Sequence, residues 1–141
     1  MPIDKAELQR RRELLRAHMD AEDGHDLDAV MDTFAKNTEM LFNRESFTDH
    51  DAIRLAHVYL GLSSLPGALS GVKVVADAEH FTDDEIVIEG RVCGKHVAEF
   101  RGYEPTQRQV ELPYVTFYRF DEDGKLASER VLMNLGALRS E

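Results

Sequence analysis

Apolar positions follow two different periods along this chain. Before Gly61 they recur at helical spacing; from Val72 onward they alternate. The stretch from Asp4 to Asp23 predicts a helix. It is rich in Ala, Leu, Gln, Glu and Arg and contains no Gly or Pro. Asp4 is placed to cap its start and Gly24 to stop it. Leu8, Leu15 and Met19 fall near one face, with His18 and Glu22 beside it. A second helix is predicted from Asp26 to about Ala35, with Val30, Met31 and Phe34 as its stripe. Thr38 to Phe42 reads as a short strand. Thr48 and Asp51 have the spacing of a capping box, opening a third helix that runs to about Leu60 and buries Ile53, Ala56 and Leu60. Gly61, Pro66 and Gly67 then mark a loop.

The second half reads as strands. Val72 to His80 and Glu85 to Cys93 flank the turn residues Thr82, Asp83 and Asp84. A short segment from His96 to Phe100 and a loop from Gly102 to Arg108 follow. The best-formed piece is a long hairpin from Arg108 to Asn134, folded at Asp121 to Gly124 and rich in β-branched and aromatic residues on its first arm. Helices followed by antiparallel strands predict an α+β fold with helices on one side of a sheet. No internal repeat or linker divides the chain, so residues 1–141 are expected to form one domain.

Composition narrows the function. A net charge of −10 argues against a nucleic-acid partner and against an anionic membrane surface. Arg10, Arg11 and Arg12 are interleaved with Glu7 and Glu13, as on a solvated helix face. The single cysteine, Cys93, rules out an intrachain disulfide and fits a small apolar residue within a strand. MPIDKAELQRRR is charged rather than apolar, and no apolar run is long enough to span a bilayer, so no signal peptide or membrane segment is expected and the cytoplasm is the expected location. No Gly-rich phosphate loop appears, and the histidines form no HExxH or Cys/His pattern. His18 with Glu22, or His50 with Asp51, offers two metal ligands and not a full site, so neither a metal nor a cofactor is expected.

Several side chains are candidates for chemistry on residue type and spacing. Glu22 lies four residues after His18, where a carboxylate can fix an imidazole tautomer and raise its basicity; the plainer reading is an exposed ion pair. Arg130, Leu132 and Asn134 share one side of the last strand. If that side lines a pocket, Arg130 needs a partner anion there; pairing with Glu111 or Glu129 is the structural alternative. Tyr59 and Tyr114 are candidate pocket walls with a phenolic handle, or plain core. Phe34, Phe117 and Phe120 read as core.

The stretches HDLDAVMDTFAKNTEM, DAIRLAHVYLGL, GKHVAEFRGYEPTQRQVELP and FYRFDEDGKLASERVLMN, taken in that order and spacing, resemble the SnoaL-like polyketide cyclases of the nuclear-transport-factor-2-like (NTF2-like) superfamily. The resemblance covers nearly the whole chain. It implies three helices against a strongly curved antiparallel sheet, a cone around an apolar pocket, and in many members a homodimer. It places Asn134 where cyclases of the family carry a catalytic aspartate, and an amide there can bond but not exchange protons. It matches His96 to a family histidine and His18 to the place where related isomerases carry a tyrosine. Together these imply a cofactor-independent cyclase or isomerase acting by general acid/base chemistry on a small, apolar, carbonyl-bearing molecule of polyketide or steroid type. His18, tuned by Glu22, or His96 would serve as the base, with Asn134, Arg130 or Tyr114 on the oxyanion and Tyr59 and Leu132 against the substrate. A non-catalytic ligand-binding module and an epoxide-hydrolase-like enzyme built around Arg130 are the alternatives.

Overall fold

The structure is a computed structural model that describes residues 2–139. Helix α1 (Lys5–Asp23) is capped by Asp4, whose carboxylate accepts from the Glu7 amide at 2.8 Å, and it ends at Gly24. Helix α2 (Leu27–Met31) is one and a half turns, shorter than predicted. The Thr33 hydroxyl donates to the Val30 carbonyl at 2.6 Å, and Phe34 already pairs with Leu126 in the sheet, so the apolar residues after Met31 serve strand β1 (Phe34–Phe42) instead. Strand β2 (Glu45–Phe47) follows. Helix α3 (His50–Leu60) is capped by Asp49 and not by Thr48: the Asp49 carboxylate accepts from the Ala52 amide at 2.8 Å.

Strands β3 (Leu69–Phe81), β4 (Glu85–His96), β5 (Gln109–Phe120) and β6 (Leu126–Met133) complete one sheet in the order β2-β1-β6-β5-β4-β3. A short 3-10 turn, Leu135–Leu138, closes the chain. The expectation of a purely antiparallel sheet is corrected: β1 runs parallel to β6. Tight turns force the β3–β4 and β5–β6 pairs to be antiparallel, whereas everything between β1 and β6 joins that pair, so no turn dictates its direction. The fold is α+β, with three helices packed on a mixed sheet that curls but keeps two free edges.

Alternation along the last two strands decides what faces the helices. Leu112, Tyr114, Thr116, Tyr118 and Phe120 of β5 are buried, as are Glu129, Val131 and Met133 of β6. Phe34 and Phe120 are core as predicted; Phe117 is half-buried on the opposite face, beneath the Arg130 guanidinium at 4.7 Å. Register shifts in β3 against β4 sharpen the curl. At the second of them sits Gly90, paired with Tyr114 across β5. A Cβ there would strike the Val75 carbonyl and come within 2.8 Å of the Tyr114 hydroxyl. Gly90→Ala is therefore expected to cost about 1–3 kcal/mol, read as a lowered urea midpoint, with Tyr114 displaced. An unchanged midpoint would show that the curl does not depend on this close approach.

Candidate active site

Four titratable side chains meet beneath the sheet. His18 and Glu22 come from α1, one turn apart. His57 comes from α3, and Glu129 from β6. All four are buried, and one ligand-capable atom from each lies within 4.8 Å of the others. The His57 Nδ1–H donates to the Ile53 carbonyl at 2.8 Å. His18 Nδ1 lies 2.8 Å from the Thr33 hydroxyl, whose own proton goes to the Val30 carbonyl, so the hydroxyl accepts and Nδ1 donates. Both rings therefore carry hydrogen on Nδ1 and turn Nε2 toward the carboxylates.

The contacts at that centre are close but not hydrogen-bonded. His18 Nε2 is 3.6 Å from Glu22 and 3.8 Å from Glu129, and His57 Nε2 is 3.7 Å from Glu22. His18 Nε2 and one Glu129 oxygen have no hydrogen-bond partner among the described residues. Burial disfavours a charge on His18, but the adjacent Glu22 charge, helped by Glu129, outweighs it and raises the imidazole above its ordinary range. Glu22 shows the converse: burial opposes its charge, yet His18 and then His57 hold the carboxyl below its usual range. Glu129 is pushed up, first by burial and further by Glu22, with the two histidines opposing. One carboxylate is thus held charged and the other toward its protonated form.

Glu22, His57 and Glu129 line a narrow cavity of about 50 Å³, while His18 stands behind them and does not line it. Tyr114 and Tyr118 form part of its wall, and burial followed by the nearby glutamates raises both phenols. Arg101 lies among the lining residues beside Phe42 and Phe100, its guanidinium 5.3 and 5.4 Å from their ring centres, and it pairs with Glu45.

The fold brings His18, Glu22 and Tyr114 together as predicted candidates. It places the others elsewhere. Asn134 does not face the cavity: it is exposed, and its side chain accepts from the Gly136 amide at 2.9 Å to cap the 3-10 turn. Arg130 and Leu132 share that outward parity; Arg130 stands 3.7 Å from Glu85 and stacks on Phe117, and Leu132 is 56% exposed. The reason is β6's own alternation, which turns Glu129, Val131 and Met133 inward. His96 is buried outside the cavity lining, its Nδ1 accepting from the Thr106 amide at 3.3 Å. Tyr59 is exposed in a surface groove beside Pro66. Cys93 is half-buried, and burial pushes its thiol up. His57 and Glu129 are the residues that sequence reasoning missed. The sign of His57 was its place on the apolar stripe between Ile53 and Leu60; that of Glu129 was its parity with Val131 and Met133. With them the two ligand-capable groups on α1 become four.

The sequence pattern of the SnoaL-like domain family matches residues 15–129. No curated protein matches the chain. Among solved structures, a protein described as a SnoaL-like polyketide cyclase from Jannaschia sp. CCS1 superimposes with a TM-score of 0.77 at 18% identity, covering 92% of this chain and 89% of that one. The epoxide hydrolase/cyclase-like enzyme SalBIII, of pyran ring formation in salinomycin, gives 0.73 at 14% identity over 92% and 94%. A protein with a ketosteroid isomerase-like fold from Catenulispora acidiphila gives 0.71 at 16% identity over 89% and 88%. At these identities the likeness concerns the fold. Among the described residues no helix is long and apolar enough to cross a membrane.

Proposed function

Because the chain belongs to the SnoaL-like domain family, we propose that it is an enzyme performing general acid/base chemistry on a small, apolar, carbonyl-bearing molecule. The observation that carries this reading is the convergence of four buried titratable groups beside a mostly apolar cavity that three of them line. A module that only held an apolar ligand would gain nothing from burying them.

In this reading His57 Nε2 takes a proton next to the carbonyl. Glu129, held toward its protonated form, gives a proton to the carbonyl oxygen as the enol develops. Glu22 lines the cavity beside them, charged and backed by His18, and faces the imidazolium that His57 becomes. The enol then collapses in a cyclisation or an isomerisation. Arg130 lies on the outer face, which removes the arginine from an epoxide-hydrolase arrangement built around it.

The test follows deuterium uptake from D2O at the α-carbons of 2-tetralone and cyclohexanone by mass spectrometry. Exchange well above the buffer rate, saturable in ketone, is expected. Exchange at the buffer rate for both ketones would count against proton abstraction as the activity.

A further inference from the structure

We propose that His18, Glu22, His57 and Glu129 form a binding site for one first-row divalent metal ion, held by the two Nε2 atoms and an oxygen of each carboxylate. The first argument is convergence. The four atoms come from three separate elements, α1, α3 and β6, yet all lie within 4.8 Å of one another. Ligand atoms about 2.0–2.2 Å from a common zinc stand roughly 3.0–3.5 Å apart. The closest pairs here, 3.6 to 3.8 Å, are a few tenths of an ångström wider, and the widest, within 4.8 Å, would close by about 1 Å through side-chain rotation.

The second argument is what these atoms lack. His18 is 0% exposed and Glu129 4% exposed, and both aim an unpartnered polar atom at the same centre. Buried polar groups are ordinarily satisfied, and a cation at the centre would satisfy both at once. The third argument lies one layer out. Each histidine donates its other ring hydrogen to a fixed oxygen, His57 to the Ile53 carbonyl and His18 to the Thr33 hydroxyl anchored on Val30. Outer partners of this kind set which nitrogen is free to ligate and fix the ring plane.

Two imidazoles and two carboxylates suit Zn²⁺, Co²⁺, Fe²⁺ or Mn²⁺, and the two negative charges balance a divalent ion. Glu22, His57 and Glu129 line the cavity, so any remaining coordination position would open into it. The ion would take the His57 lone pair that proton abstraction uses. Metal occupancy and the acid/base state are therefore exclusive, and this inference uses the same site without resting on that reaction.

The test is a calorimetric titration of chelator-treated protein with ZnCl2. One ion per chain is expected, with a rise in Tm as Zn²⁺ exceeds Kd. Glu129→Gln and His57→Ala are each expected to weaken binding about tenfold or more, whereas His80→Ala, at an exposed His80–Glu89 pair, is expected to leave it unchanged. Zinc-edge X-ray absorption of the loaded wild type, which needs no variant to fold, is expected to show two imidazoles on the metal. No stoichiometric binding, binding retained in both site variants, or a spectrum without imidazole would overturn the site. Ketone exchange is measured in chelator-treated protein and metal binding by titration of that same protein, so the two ideas fail separately.

Discussion

Replacing His57 by alanine is expected to slow α-proton exchange in 2-tetralone by about 10²–10⁴-fold, the contribution of a positioned general base. His57 Nδ1 is held by the Ile53 carbonyl one turn earlier on α3, which leaves Nε2 as the nitrogen near Glu22 at the cavity. No other histidine lines that cavity among the described residues; His18 stands behind Glu22 and Glu129, and His96 lies elsewhere. Alanine removes the base while keeping a good helix former in α3. Exchange rates are compared at equal protein concentration after thermal unfolding confirms that the variant is folded. A rate within twofold of the wild type would remove His57 from the chemistry.

The second large effect is on stability. In chelator-treated protein the buried cluster is expected to make folding less favourable as pH rises. Glu129 has a folded pKa above its ordinary 4.5, so the folded state binds more protons than the unfolded one above that pH. Its contribution is fully present below about pH 4.5 and is lost as pH climbs through the folded value. His18, raised from 6.5, acts in the same direction at higher pH: its contribution is complete below about 6.5 and fades above it. Glu22, lowered from 4.5, acts oppositely and is felt only in acid, where its protonation removes stability. Urea midpoints should therefore fall as pH rises above about 6.5. Glu129→Met fills similar space without a buried carboxyl, and at about pH 8 it should match or exceed the wild type in stability. It should also lose activity, because the proton donor is gone. A midpoint that rises with pH, or a Glu129→Met variant several kcal/mol less stable than the wild type, would contradict this account of the cluster.

Much of the fold was legible because its signals are local. Asp4 and Gly24 bound α1, and the turn at Asp121 to Gly124 sets the last hairpin. What was not legible depends on distant partners. Nothing near Phe34 in the sequence announces Leu126 as its neighbour, so the start of β1, Phe34 and Ala35, read as the tail of a helix, while Thr38 to Phe42 already read as a strand. Half of the site was legible for the same reason: His18 and Glu22 are one helical turn apart. The other half needed strand facing. β6 offers two parities, one with Glu129, Val131 and Met133 and one with Arg130, Leu132 and Asn134. Anchoring on Asn134 selects the second. The first carries the greater share of apolar residues, which is the physical reason it packs inward and takes Glu129 with it. His57 was hidden in plain sequence because a histidine on an apolar stripe reads as core until Glu22 is known to face it.

The central claim is that chemistry belongs to the inward face of β6 and not to its outward end. The most direct test compares ketone exchange in Glu129→Gln and Asn134→Ala, both checked for folding. Asn134 makes only a local cap outside the cavity, so its variant should exchange at the wild-type rate. Glu129→Gln, which removes the proton donor while keeping the shape, should lose about 10²-fold or more. The opposite ranking, with Asn134→Ala inactive and Glu129→Gln at full rate, would contradict the account.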